Sequence, residues 1–255
     1  AEGYTFMGWS TKPMQSVSPQ YEAEEKITVN GNVDLYAVVF NRTTETDLTE
    51  DQLPQVDIYK YKQVIFVGDS RTEFMENVLT GMGESATKNV KFVCSAGKGL
   101  DWFTTTGWAQ LYSIVQHDSN SILSKKTAVI FNFGVNDLSK SADYAEYYNW
   151  IAPQLKSKGC ELYFMSVNPV NRLMLPNAGR ADRSEAAVRS FNQYMKANLP
   201  SAYTYIDMYS YLKSTGYSFA SDHYGTGTVD DGLHYTTRTY KRIFAKCMDS
   251  LRVPA

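Results

Sequence analysis

The sequence has few of the residues that build metal centres or disulfide frameworks. It contains three cysteines and three histidines in 255 residues. Cys94, Cys160 and Cys247 lack the close spacing of a metal site, and three cysteines cannot all pair with one another. We therefore expect buried free thiols that act as small apolar side chains. We also expect neither a metal ion nor an organic cofactor.

Long apolar runs and an excess of one charge are also missing. No segment approaches the roughly 20 apolar residues that a membrane-spanning helix needs, so we expect no transmembrane segment. The formal net charge is −2, which gives no basic surface for nucleic acid. The chain begins with alanine and shows no signal-peptide pattern, which leads us to expect a piece of a larger protein.

Four short motifs stand out instead, and the first three directly follow apolar runs typical of buried strands. They are Gly68-Asp69-Ser70, Gly97-Lys98-Gly99, Gly134-Val135-Asn136-Asp137 and Asp231-Gly232-Leu233-His234. The carboxyl ends of parallel strands meet at one edge of a sheet, where open α/β proteins bind their ligands. We therefore expect the first three motifs to meet at that edge.

Together these motifs supply the groups for acyl transfer through a serine. Ser70 is the candidate nucleophile, at the end of a strand and the start of a helix. His234 is the candidate base, and Asp231 would share a face with it on one helical turn. The glycine loop and the helix start offer backbone N–H groups to an oxyanion, and Asn136 offers a carboxamide.

Each motif also has a simpler interpretation. Ser70 would serve as a helix N-cap, the glycines as a strand-to-loop turn, and Asn136 as a loop cap. His234 would be a surface histidine. The other two histidines, His117 near a helix end and His223 in a polar loop, lack a comparable aspartate partner.

With these residues in place, Asp57 to Arg252 resembles the SGNH hydrolases, the GDSL-type esterase superfamily. Ser70, Asn136 and the Asp231/His234 pair match three of its four blocks. The resemblance implies a Ser70–His234–Asp231 triad. It implies oxyanion donors at Ser70, Gly99 and Asn136, with Gly97 as the second choice for the glycine. Arg71-Thr72 departs from many lipolytic members, which argues against a lipid substrate.

Alternating strand and helix patterns predict an α/β fold with a parallel sheet. The predicted strands are 63–68, 89–94, 127–134, 161–167 and 203–207. The predicted helices are 71–81, 103–117, 142–158, 181–198 and 236–251. The resemblance implies a flavodoxin-like, three-layer α/β/α arrangement of this five-stranded sheet in a hydrolase domain spanning 57–255.

Residues 1–40 have a different pattern. Short β-type runs separated by Gly, Asn and Pro predict a small antiparallel unit. Gly8-Trp9-Ser10, followed by Leu35-Tyr36-Ala37-Val38, resembles the internalin-type β-grasp repeat of bacterial cell-surface proteins, with its opening strand missing. A divergent extension of the hydrolase is the alternative. Residues 41–56, rich in Thr, Asp and Glu, are predicted to form an exposed linker.

The expected function is a secreted or cell-surface bacterial serine esterase that hydrolyses short acyl esters, with O-acetyl groups on carbohydrate preferred. Its expected partner is a small-molecule or polysaccharide ester, with cell-wall association through regions outside this chain. Two alternatives stay open at this point. One is a lipolytic esterase or thioesterase on the same triad, and the other is a catalytically silent module that binds glycan or protein.

Overall fold

The computed structural model describes residues 3–13, 19–57, 60–118, 126–180, 182–220 and 229–251. Its strands, in chain order, are β1 (Tyr4–Ser10), β2 (Tyr36–Asn41), β3 (Tyr61–Gly68), β4 (Val90–Cys94), β5 (Lys126–Asn132), β6 (Cys160–Met165) and β7 (Tyr203–Ile206). Its helices are α1 (Ser70–Met82), α2 (Leu100–Trp102), α3 (Trp108–Asp118), α4 (Ser141–Lys156), α5 (Glu185–Asn198), α6 (Met208–Thr215) and α7 (Thr237–Ser250). A π-helical turn, Phe103–Gly107, joins α2 to α3.

The last five strands form one parallel sheet in the order β4-β3-β5-β6-β7. The prediction of a flavodoxin-like parallel sheet is therefore confirmed. Gly68 at the end of β3 pairs with Cys94 on one side and with Asn132 on the other. This register aligns the ends of three strands, so the loops that carry the first three motifs leave the sheet at the same edge.

The apolar run of β3 is buried on both faces of the sheet. Val64 and Phe66 pack in the core on the α1 and α7 side, whereas Ile65 and Val67 pack in the core on the α3, α4 and α5 side. Successive strand residues point to opposite faces, so a strand covered on both sides needs an unbroken apolar run.

Most predicted element boundaries lie within two residues of the observed ones. Helix α5 begins at Glu185, later than predicted, because the side chain of Ser184 caps it by accepting from the N–H of Ala187. The predicted helix 103–117 begins earlier, at Leu100. Helix α6 is absent from the prediction.

Strands β1 and β2 form a small antiparallel sheet, as expected for a β-rich unit within 1–40. Its inner face carries Met7, Val38 and Phe40, which lie in the same buried core as α6 and α7. Phe40 packs so closely on Gly216 that a Cβ there would be 2.2 Å from its ring. The unit thus shares a core with the large sheet. Its resemblance to a β-grasp repeat stays a prediction.

The segment 41–56 is mostly exposed, but it is anchored through three buried side chains. Leu53 and Val56 lie in the core beside α1 and α7. The buried carboxylate of Glu45 accepts from Arg242 Nη1 at 3.0 Å and from the hydroxyl of Thr239, both on α7. The segment predicted as a linker therefore also fastens the N-terminal unit to the last helix.

Cys94, Cys160 and Cys247 form no disulfide; Cys160 and Cys247 are buried, and Cys94 is partly buried. In the part of the chain that the structure describes, no helix combines the length and apolar character needed to cross a bilayer.

Candidate active site

The nucleophile motif forms a tight turn from strand to helix. A Cβ on Gly68 would lie 2.0 Å from Thr72 Oγ1 and 2.7 Å from the Asn132 carbonyl oxygen, so only glycine fits there. Asp69 is the N-cap of α1, and its side chain accepts from the N–H of Arg71 at 3.0 Å. Ser70 is therefore not the cap. Its hydroxyl is available for other contacts in the first turn of the helix.

Asp69 is fully buried beneath this turn. Burial raises the pKa of its carboxyl group to about 6, while the N–H and the charge of Arg71 act in the opposite direction. The pKa of this capping carboxyl group therefore lies above that of an exposed aspartate.

His234 lies between Ser70 and Asp231. Its Nε2 is 3.0 Å from Ser70 Oγ, and its Nδ1 is 2.7 Å from Asp231 Oδ2. The other oxygen of Asp231 accepts from the N–H groups of Leu233 and His234, both at 2.8 Å. The structure thus brings together the three residues that the sequence predicts as nucleophile, base and orienting acid.

The expected helical turn between Asp231 and His234 was wrong. These residues lie in a loop before α7, and Gly232 between them has φ +70°, in the left-handed region that favours glycine. A Cβ there would be 2.3 Å from the carbonyl oxygen of Asn171. This turn and the backbone hydrogen bonds to Asp231 bring the side chains of Asp231 and His234 together.

The imidazole of His234 rests on the ring of Phe74, with ring centroids 4.3 Å apart and planes 24° from parallel. Phe74 belongs to α1 and follows Ser70 by one helical turn. The carbonyl of His234 accepts from the N–H of Ala220 at 2.8 Å. Both the ring and the backbone of the candidate base are therefore held in place.

Arg71 links the strand-to-helix turn to two other loops. Its buried guanidinium donates to the carbonyl oxygens of Leu233 at 2.9 Å, Asn168 at 2.8 Å and Pro169 at 2.8 Å. The structure places it below the site, where it satisfies backbone carbonyls of the loops that surround Ser70.

Asn136 lies beside the glycine loop. Its Nδ2 donates to the carbonyl of Lys98 at 2.7 Å, and its Oδ1 accepts from Arg183 Nη2 at 2.8 Å. A carboxamide nitrogen carries two N–H groups, so one remains for a substrate oxygen. Ser70, at the first helical position, also presents an N–H that helical bonding does not use.

Of the two loop glycines, Gly99 packs directly against the Asn136-Asp137 turn. A Cβ on Gly99 would lie 2.4 Å from an Asp137 carboxylate oxygen, whereas one on Gly97 would lie 3.8 Å from Arg180, its nearest neighbour among the described residues. The same carboxylate of Asp137 accepts from the N–H of Leu100 at 2.8 Å and so fixes the loop.

The peptide bond between Lys98 and Gly99 is trans, so its C=O and N–H point in opposite directions. Because the carbonyl faces Asn136 Nδ2, the N–H of Gly99 points away from that nitrogen. Asn136 and Gly99 can donate to one oxygen only after this peptide or the Asn136 side chain rotates.

Comparison with known proteins decides the family. The sequence profile of the GDSL-like Lipase/Acylhydrolase family matches residues 64–247, a range that contains all four motifs. The chain belongs to this family. As a GDSL hydrolase it is a carboxylic ester hydrolase. No curated protein sequence matches it.

Among solved structures similar to this GDSL hydrolase, one with a TM-score above 0.5 supports the fold. A protein of Slackia heliotrinireducens assigned to the SGNH hydrolases has a TM-score of 0.53 and 12% identity, covering 76% of this chain and 100% of its own. An acylhydrolase candidate from Bacteroides fragilis has a TM-score of 0.48 and 17% identity, covering 79% of this chain and 92% of its own. An acetyl xylan esterase has a TM-score of 0.47 and 11% identity, covering 74% of this chain and 100% of its own.

Arg172 does not join the triad in the part of the chain that the structure describes. Arg172 is half exposed and pairs with Glu24 at 3.1 Å. His223 and the side chain of His117 lie outside the described residues. Within the described ranges, no group of three His, Cys, Asp or Glu side chains is arranged to hold a metal ion.

A cleft of about 740 Å³ lies between the β1–β2 sheet and the loops around Asn171 and Asp230. Several large apolar side chains that are exposed to solvent line it: Tyr4, Trp9, Val39, Leu173 and Val229. Asp230 immediately precedes the candidate acid Asp231. Exposed apolar surface gathered in one cleft is typical of a binding site.

Proposed function

We propose that the GDSL hydrolase cleaves acyl esters through a Ser70–His234–Asp231 triad. One observation carries this proposal: His234 lies within hydrogen-bond distance of Ser70 Oγ through one ring nitrogen and of Asp231 through the other. Geometry of this kind lets an imidazole remove the serine proton while the aspartate stabilises the resulting imidazolium.

In the first half of the reaction, Ser70 Oγ attacks the ester carbonyl carbon and its proton passes to His234 Nε2. The tetrahedral intermediate then collapses, the bond to the alcohol oxygen breaks, and Nε2 returns the proton to that oxygen. The acyl group is now bound to Ser70. In the second half, water attacks the acyl carbon, gives its proton to Nε2, and the acid leaves as Ser70 regains its hydrogen.

The N–H of Ser70 and the free N–H of Asn136 would hold the developing oxyanion. Gly99 remains the glycine proposed for this role, with Gly97 second, and the packing of Gly99 against Asp137 supports that order. Because its N–H points away from Asn136, we propose that the Lys98–Gly99 peptide turns when an ester binds.

For the substrate, we propose a short acyl group, with acetyl on carbohydrate preferred, and a secreted or surface location. The resemblance of residues 1–40 to a cell-surface repeat supports both. The difference from lipolytic members at Arg71-Thr72 is no longer an argument against a lipid substrate, because Arg71 is buried and donates to backbone carbonyls.

A fluorophosphonate tests the chemistry. It should form a covalent adduct on Ser70, located by mass spectrometry of peptides, and His234→Ala should greatly slow the labelling. A folded protein without an adduct on Ser70 would instead support the silent binding module. A screen of acetylated polysaccharides and peptidoglycan, read as released acetate, tests the substrate.

The apolar cleft favours a second candidate, a lipolytic esterase or thioesterase whose acyl chain lies against Leu173. Leu173 is 78% exposed at this cleft. Initial rates on p-nitrophenyl esters from acetate to decanoate separate the two candidates. A short-chain esterase should prefer acetate and be unaffected by Leu173→Ser. A long-chain enzyme should prefer decanoate, and Leu173→Ser should reduce that preference.

A further inference from the structure

The carboxamide of Asn136 can serve as an oxyanion donor in only one of its two orientations. With Nδ2 towards the glycine loop it offers N–H groups, and after a 180° flip it would place an oxygen there. An oxygen beside a developing oxyanion would repel it. The protein must therefore specify the orientation.

Arg183 supplies that specification. Its Nη2 donates to Asn136 Oδ1 at 2.8 Å, and its Nε donates to the carbonyl of Val135, the preceding residue. A guanidinium has only donors, so it can bind the oxygen of a carboxamide but not its nitrogen. The flipped orientation would set N–H against N–H and lose this bond.

The charge of Arg183 is also buried, whereas its ion-pair partner is exposed. The side chain is 6% exposed, and its ion-pair partner within the described residues, Asp182, is 81% exposed and 3.5 Å away. Solvent weakens so exposed a pair. A buried positive charge on the oxygen of a carboxamide polarises the group, which makes its N–H a stronger donor.

We propose that Arg183 is a positioning residue for ester hydrolysis, fixing and polarising Asn136 as an oxyanion donor. The proposal rests on the proposed function. This role could not be predicted from the sequence, because Arg183 stands 47 residues beyond Asn136 and its neighbours in the chain are those of an ordinary solvated arginine.

A double-mutant cycle tests the proposal, with kcat and KM measured on p-nitrophenyl acetate. Asn136→Ala should lower kcat by about 10²–10³-fold. Arg183→Met should lower kcat by about 10–100-fold, with KM changed by less than about threefold. In the Asn136→Ala background, Arg183→Met should cost less than about twofold, because the donor it serves is gone.

Two further variants complete the design. Arg183→Lys keeps the charge but not the two-pronged geometry, so its kcat should lie between wild type and Arg183→Met. Lys196→Met removes an exposed charge from the far part of α5 and should leave kcat unchanged. If Arg183→Met does not fold, the cycle is run with Arg183→Lys, which should show the same loss of effect in the Asn136→Ala background.

The outcomes separate the two levels of inference. An equal cost of Arg183→Met with and without Asn136 would overturn the positioning role, and so would no cost at all. If Asn136→Ala leaves kcat unchanged while Ser70→Ala abolishes turnover, the oxyanion role of Asn136 is wrong and the Arg183 proposal falls with it, although the triad stands.

Discussion

Arg71 Nε donates to the carbonyl oxygen of Leu233 at 2.9 Å, across 162 residues of sequence. Arg71 directly follows the candidate nucleophile, and Leu233 directly precedes the candidate base. A single buried hydrogen bond therefore joins the two backbone segments whose side chains meet at the site. The remaining donors of the same guanidinium hold the loop after β6.

The triad proposal predicts the effects of three substitutions on a small acyl ester. Ser70→Ala and His234→Ala should each lower kcat by about 10⁴–10⁶-fold, because nucleophile and base act as a unit. Asp231→Asn should also lower kcat strongly, but it should leave more activity than Ser70→Ala or His234→Ala. Circular dichroism serves as the folding control. A folded Ser70→Ala variant with more than about a tenth of wild-type kcat would contradict the triad.

Arg71→Met should destabilise the fold by about 2–5 kcal/mol, because it removes the donor to the buried carbonyls of Leu233 and Asn168. The carbonyl of Pro169 keeps the hydroxyl of Tyr235 as a donor. Urea unfolding measures this change. The matched control is Arg172→Met, which removes a half-exposed ion pair with Glu24 and should cost less than about 1 kcal/mol. Equal costs for the two variants would show that the buried guanidinium contributes no more than a surface charge.

Glu45→Ala should destabilise the protein by about 3–5 kcal/mol, because it leaves the buried charge of Arg242 without its carboxylate. Asp47→Ala, which breaks more exposed pairs with the same helix, should cost less than about 1 kcal/mol. Neither should change kcat.

Deleting residues 1–50 should likewise lower stability more than kcat. A well-folded deletion variant without turnover would instead mean that the N-terminal unit shapes the active site.

Asp69→Asn should change how stability depends on pH. The pKa of Asp69 is raised from 3.8 to about 6 in the folded protein. Between about pH 4 and 6 the folded state keeps a proton that the unfolded state has lost, so the free energy of unfolding falls as pH rises. Asparagine also caps helices but does not titrate.

The stability of Asp69→Asn relative to wild type should therefore increase by about 2 kcal/mol from pH 4 to pH 7. Urea unfolding at several pH values measures the difference. A difference that does not vary with pH would mean that Asp69 has an ordinary pKa in the folded state.

The sheet and the site motifs could be predicted because their signals are local. An unbroken apolar run such as Val64–Val67 specifies a strand buried on both faces, and Gly68 marks the turn after it. Helix α6 has a weaker signal in the sequence, because it is only eight residues long and directly follows β7. Its N-cap, Asp207, is the one residue that indicates where it begins. Such a cap alone does not distinguish a helix from a turn.

The surroundings of the site could not be predicted because they depend on contacts distant in sequence. Arg71 and Arg183 have the same local appearance as solvated arginines, yet both are buried on carbonyl oxygens. The direction of the Lys98–Gly99 peptide depends on Asn136, 38 residues from Lys98. Burial and hydrogen-bond partners of this kind appear only when the elements are assembled.

The closure of the N-terminal unit on the last elements of the chain has a consequence for biosynthesis. Lys213 donates to the carbonyl of Met7, 206 residues earlier, and Arg242 donates to Glu45, 197 residues earlier. A ribosome makes the first strands on the order of 10 s or more before their partners emerge. Met7, Val38 and Phe40 therefore cannot be buried against α6 and α7 until those helices are made. During that interval these apolar side chains are exposed, and exposed apolar surface makes a nascent chain prone to aggregation.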